Sequence, residues 1–127
     1  MATSQETRVV SVTAGEESVI YTFVSLQADG KYDITGATTE RMHGIAAEGG
    51  VPDGGALAMV IPNGAIAKVK AGAAITIGDA VQSDATGRAI THVSGANVFR
   101  AGIALEAATA ADQIISIQFL VDNDQVA

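Results

Sequence analysis

Apolar side chains recur along this chain in alternation with polar ones, not at helical spacing. From Thr7 the order Arg8, Val9, Val10, Ser11, Val12 opens an extended segment that stops at a turn at Ala14-Gly15. Ser18 to Leu26 follows, with Val19, Tyr21, Phe23 and Ser25 on one face and Ile20, Thr22, Val24 and Leu26 on the other. That two-residue period predicts a long strand, and large apolar groups on both faces predict that both are covered. Asp29-Gly30 is a two-residue hairpin signal, and Lys31 to Thr35 begins the return. Further strands are expected at Met42–Glu48, Leu57–Ile61, Ile66–Val69, Ala80–Ser83, Ala89–Val93, Val98–Leu105 and Ile114–Val121. Gly, Pro, Asn and Asp punctuate them, as at Pro52-Asp53-Gly54-Gly55 and Pro62-Asn63-Gly64. Turn signals every 8–12 residues or so are the pattern of a sandwich or barrel. Only Ala107–Ala111 has the composition for a turn or two of helix.

The chain also echoes itself. Gly44-Ile45-Ala46-Ala47-Glu48 recurs 58 residues later as Gly102-Ile103-Ala104-Leu105-Glu106. Asp29-Gly30-Lys31 is answered by Thr86-Gly87-Arg88, Gly36-Ala37 by Gly95-Ala96, and Ala58–Ile61 by Ser116–Phe119. Either short matches arise by chance in a chain where Ala and Gly make 38 of 127 residues, or two related β-units are fused into one closed or nearly closed barrel, which leaves few free edges. Similar turns around both copies favour the second reading.

Composition agrees with strands: 25 Val and Ile stand against 4 Leu, and β-branched side chains suit a pleated surface better than a helix. A length of 127 residues fits one domain. The expected division is an N-terminal arm at 1–12, its first six residues polar and without periodicity, followed by a single β-barrel domain at 13–127. No apolar run approaches the roughly 20 residues needed to cross a bilayer, and the first residues have no basic region followed by an apolar one, so no signal peptide is expected. Without Cys there is no disulfide, thiolate metal site or thiol nucleophile. A net charge of −7, with no run of Lys or Arg, opposes binding to a phosphate backbone. Neither nucleic acid nor membrane is therefore an expected partner.

Candidate chemistry is sparse. His43 and His92 are the only imidazoles, both in strand-like alternation with apolar residues and with no nucleophile motif beside them. Paired carboxylates occur at Glu16-Glu17, at Asp122 and Asp124, and as the repeated Glu48 and Glu106. Two carboxylates flanking a sugar are what a glycosidase uses, yet with no Trp and 4% aromatic residues there is little to build a sugar platform. Asp122-Asn123-Asp124 begins like a calcium loop, but the chain lacks the Gly and Glu that complete one. No catalytic residue, cofactor or metal ligand is therefore assigned. Surface recognition remains, and the Thr7–Val12 stretch has the pattern of a strand that adds to a partner's sheet edge or pairs within its own fold.

The C-terminal half resembles the capsid decoration, or cement, proteins of tailed bacteriophages. The resemblance rests on Gly78-Asp79-Ala80-Val81, on Ser83-Asp84-Ala85-Thr86-Gly87-Arg88-Ala89, on Ala101-Gly102-Ile103-Ala104-Leu105, and on the apolar Ile114–Leu120. It implies a small β-barrel or β-tulip-like fold with a flexible N-terminal arm. It also implies a homotrimer on the outer capsid surface of the virion that stabilises the major capsid protein lattice, made in the host cytoplasm and without enzymatic activity. On that implication the residues next to the arm, Thr7, Arg8, Val9 and Val10, are the expected capsid contacts. The alternative is a β-clip or barrel module that binds a small molecule or glycan in a pocket near Glu48, Glu106 or His92.

Overall fold

The computed structural model describes residues 8–93 and 95–125. They form ten strands and no helix. The strands are β1 (Val9–Thr13), β2 (Phe23–Leu26), β3 (Tyr32–Ile34), β4 (Gly44–Ala46), β5 (Ala56–Val60), β6 (Ile66–Lys70), β7 (Ala80–Ser83), β8 (Ala89–Thr91), β9 (Ala96–Ala104) and β10 (Ile114–Gln125). They make two five-stranded sheets, β1-β5-β4-β2-β3 and β6-β10-β9-β7-β8, with every strand pair antiparallel. Adding five to each label of the first sheet gives the second. The chain is thus two copies of one β-unit in tandem.

The expected barrel is corrected by this topology. The two edge strands of each sheet meet at one parallel bridge, Ala14 to Tyr32 and Ala71 to Ala89. Neither sheet closes, because β3 and β8 have three residues each and a single bridge is not a ladder. The equivalence of the units extends to individual backbone bonds. Gly15 N–H donates to the Tyr32 carbonyl at 2.8 Å and Gly72 N–H to Ala89 at 2.7 Å. Ala46 donates to Thr22 and Ala104 to Asp79, both at 2.9 Å, and Ile61 donates to Arg8 and Phe119 to Ala65, both at 3.0 Å.

This equivalence explains the repeated Gly-Ile-Ala. A side chain at Gly102 would strike the Gln118 backbone, and one at Gly44 would strike Met59 and the Val60 carbonyl. Close approach of β9 to β10 and of β4 to β5 therefore requires glycine at the same place in each unit. Gly102 also has φ +121°, beside a register shift in β10 between Phe119 and Asp122, as at a β-bulge.

The long strand expected over Ser18–Leu26 is shorter, starting at Phe23. Tyr21 sits in the left-handed region at φ 62° and turns the chain. The buried Ser18 hydroxyl donates to the Glu48 carbonyl at 2.9 Å and accepts from Val51 N–H at 3.0 Å, so this stretch is pinned as a connection. Residues 107–111, expected as a short helix, are a turn region in which Ala108 bridges Ile75.

Two clusters make up the core. The smaller, Ala14, Val24, Ala46, Leu57 and Met59, lies on the inner face of the first sheet. The larger joins the units: Phe23, Met42 and Ile45 of the first pack with Val69, Val81, Ile115, Ile117 and Phe119 of the second. The rings of Phe23 and Phe119 are 5.9 Å apart. Each such side chain contributes about 1.5–3 kcal/mol on burial, so the junction is part of the folding core and not a loose contact between domains.

Candidate functional site

Of the four residues expected to make capsid contacts, Thr7 lies outside the described residues. Arg8 precedes β1, and Val9 and Val10 lie within it. The residues up to Val12 that the sequence groups with an arm thus include a strand paired to β5, with Val9 opposite Val60 and Val12 opposite Leu57. Alternation separates the candidates. Arg8 and Val9 are exposed, Val9 by 53%, whereas Val10 turns inward and packs against the smaller core cluster. β1 is also an edge strand. Arg8 and Ala14 bond to the β5 side, so by antiparallel alternation the N–H and C=O groups of Val9, Ser11 and Thr13 point away from the sheet.

The carboxylates and imidazoles do not converge. Glu48 Oε1 accepts from Ala58 N–H at 2.9 Å, and Glu106 Oε1 accepts from Ser116 N–H at 2.8 Å. Each repeated glutamate thus clips the start of its own strand pair, and hydrogen bonding to Ser116 holds the Glu106 carboxyl below its ordinary pKa. His43 belongs to the first unit and His92 to the second. His43 Nδ1 accepts from Leu26 N–H at 3.1 Å, and desolvation, followed by the Arg41 charge, pushes its pKa down. Glu16 caps Ile34 N–H at 3.3 Å. Asp122 forms a forked pair with Arg100 at 2.6 and 2.9 Å. Among the described residues no three His, Asp or Glu side chains gather to hold a metal.

The motifs of the second unit serve its turns. Asp84 Oδ1 accepts from the N–H groups of Thr86 and Arg88 at 2.8 and 2.9 Å, and its Oδ2 pairs with the Arg88 guanidinium at 3.2 Å. Asp79 Oδ2 accepts from Thr76 N–H at 3.2 Å after Gly78, which has φ +91°. Such carboxylate-to-backbone bonds fix turns. A cleft of about 670 Å³ lies between the units, lined by Glu16, Thr22 and Ile34 on one side and Lys70, Arg88 and Asp112 on the other. Glu48, Glu106 and His92, around which the sequence placed a pocket, are not among its lining residues.

The sequence matches the family model of the phage cement proteins over residues 4–119. The chain belongs to the phage cement protein family. The match spans both units, wider than the C-terminal motifs that first carried the resemblance. No curated protein matches the sequence. Among solved structures, the N base of head fiber gp8.5 of bacteriophage phi29 superposes with a TM-score of 0.68. Identity is 19%, over 96% of this chain and 99% of that one, a likeness of fold. This cement protein accordingly has a structural role in association with the phage capsid, as part of the virion. Its candidate site is a surface, and among the side chains that looked chemical on sequence His43, Glu16, Glu48, Glu106 and Asp122 bond to backbone or to Arg100 within the fold.

Proposed function

We propose that this cement protein is a head decoration protein that binds the outer surface of the capsid as a homotrimer and stabilises the major capsid protein lattice, without enzymatic activity. The observation that carries the reading is the family match over both units. It is supported by a fold in which Glu48, Glu106, Asp84 and Asp122 are engaged by backbone and arginine partners. Contact with the lattice is assigned to the N-terminal segment through Thr7, Arg8 and Val9, with Val10 acting as the inward anchor that holds β1 in place. Three copies on one particle make weak contacts multivalent.

The test is binding to expanded capsids that lack the protein, followed by co-sedimentation. Deleting residues 1–7 and replacing Arg8 by Glu leaves β1 intact and is expected to cut occupancy at least tenfold, and with it the gain in capsid melting temperature. Wild-type occupancy by that variant would overturn the contact assignment. A wild-type protein that leaves capsid melting unchanged would overturn the stabilising role.

A further inference from the structure

Besides the loop contacts of Thr38 and Arg41 with Phe99, the units meet through a strand-and-turn contact that runs in one direction. Tyr21 and Phe23 of the first unit meet the β6 edge and the β7–β8 turn of the second: Lys70 N–H donates to the Tyr21 carbonyl at 2.8 Å, and Phe23 N–H donates to the Gly87 carbonyl at 2.7 Å. Gly87 is buried there, and a side chain on it would meet Ile34, Phe23 and Thr22. Under the repeat, Gly30 is the counterpart of Gly87, Thr13 of Lys70, Gly78 of Tyr21 and Ala80 of Phe23. Gly30, Thr13 and Gly78 are all exposed, and open space surrounds Gly30 and Gly78. A two-fold relation between the units would have used both sets. The contact is head to tail and has an unused half at each end of the chain.

At the second unit's end, the unused half is a groove with apolar Ile103 and Leu120 in its lining beside Gln118 and the Arg100–Asp122 ion pair. Ile45, in the first unit and covered by the second, is 1% exposed, and its counterpart Ile103 is 40% exposed. A groove of about 270 Å³ runs past Ala80, Gly102, Ile103 and Leu120, with Leu120 57% exposed. The protein itself displays what fits such a face, because the same face of the first unit is covered by the sister unit's edge strand and turn.

We propose that this groove receives the first unit of a second copy, so that Thr13 and Gly30 of one molecule seat against Gly78 and Ala80 of the next. Thr13 N–H then donates to the Gly78 carbonyl, as Lys70 N–H donates to Tyr21 within the chain. Copies joined this way repeat one contact around a ring, and the inference rests on the homotrimer reading for the number of copies. Its readout is mass in free solution, so its failure is separate from any failure to bind capsids.

Light scattering on the whole protein at millimolar concentration is expected to give three times the 12.8 kDa chain mass. Gly30→Asn, which tolerates positive φ and meets nothing in the single chain, is expected to give monomer, as is Ile103→Glu. Thr13→Pro, an edge-strand change that removes only an outward N–H, and Leu120→Glu repeat the test should either first variant fail to fold, which thermal unfolding reports. Mixing Gly30→Asn with Ile103→Glu restores one intact contact per pair and is expected to give dimers of twice the chain mass. A monomeric wild type, folded variants that keep the wild-type mass, or a mixture that stays monomeric would each overturn the proposal.

Discussion

Replacing Phe23 by Ala tests the claim that the two units fold as one body. The ring is fully buried, sits in the larger core cluster and lies 5.9 Å from Phe119 of the other unit. Truncating a buried Phe costs about 3–5 kcal/mol through lost transfer energy and the cavity left behind, and the aromatic pair adds about 0.5–1.5 kcal/mol. A chain of 127 residues is stable by roughly 6–19 kcal/mol, so this one ring carries a sizeable fraction. At about 3–5 °C per kcal/mol for this size, the melting temperature should fall by roughly 10–30 °C. The assay is denaturant unfolding followed by circular dichroism at fixed protein concentration, because assembly makes stability concentration-dependent. Phe23→Leu, which keeps most of the volume, should cost no more than about 1.5 kcal/mol. A double-mutant cycle with Phe119→Ala should show coupling of at least about 0.5 kcal/mol. A loss below about 1 kcal/mol in Phe23→Ala, or separate unfolding of the two sheets in the wild type, would refute the reasoning.

Two further perturbations address the repeat. Gly102→Ala should abolish folding or cost at least about 3 kcal/mol, because a side chain there meets the Gln118 backbone at a strained φ. Gly44→Ala should cost less, since the flexible Met59 side chain takes part of the clash, and equal costs in urea titrations would contradict this account. Glu106 has a lowered pKa in the folded state through its bonds to Ser116, so its ionised form favours folding. Its stabilisation relative to Glu106→Gln is complete above the unfolded value of about 4.3 and disappears as pH falls through the lower folded value. Melting curves of both proteins across that window should converge at acid pH, and a constant gap would count against the carboxylate clip.

Much of the fold was legible in the residues because turns and close approaches demand particular ones. Gly44 and Gly102 mark strands that approach a neighbour too closely for a Cβ, and both lie in the repeated pentapeptide that revealed the two units. Tyr21 and Asp112 were hidden for the opposite reason. They adopt positive φ where the sister unit has Gly78 and Gly54, and a non-glycine residue there gives no local signal. The expected Ser18–Leu26 strand failed at Tyr21 on that account. At the candidate surface, alternation separates exposed Val9 from inward Val10, but only the pairing of β1 with β5 shows which of the two faces the core.

The sequence by itself determined an all-β chain, the places of its turns and the existence of two related units, since these follow from local backbone preferences and a two-residue period. The tertiary structure decided that the sheets stay open instead of closing into a barrel. It also decided which of two equivalent faces is covered, burying Phe23 and Ile45 while leaving Ala80 and Ile103 in an open groove. The physical reason is that periodicity records which side chains share a face, whereas burial depends on the surface brought against it, and like units in tandem meet unlike neighbours.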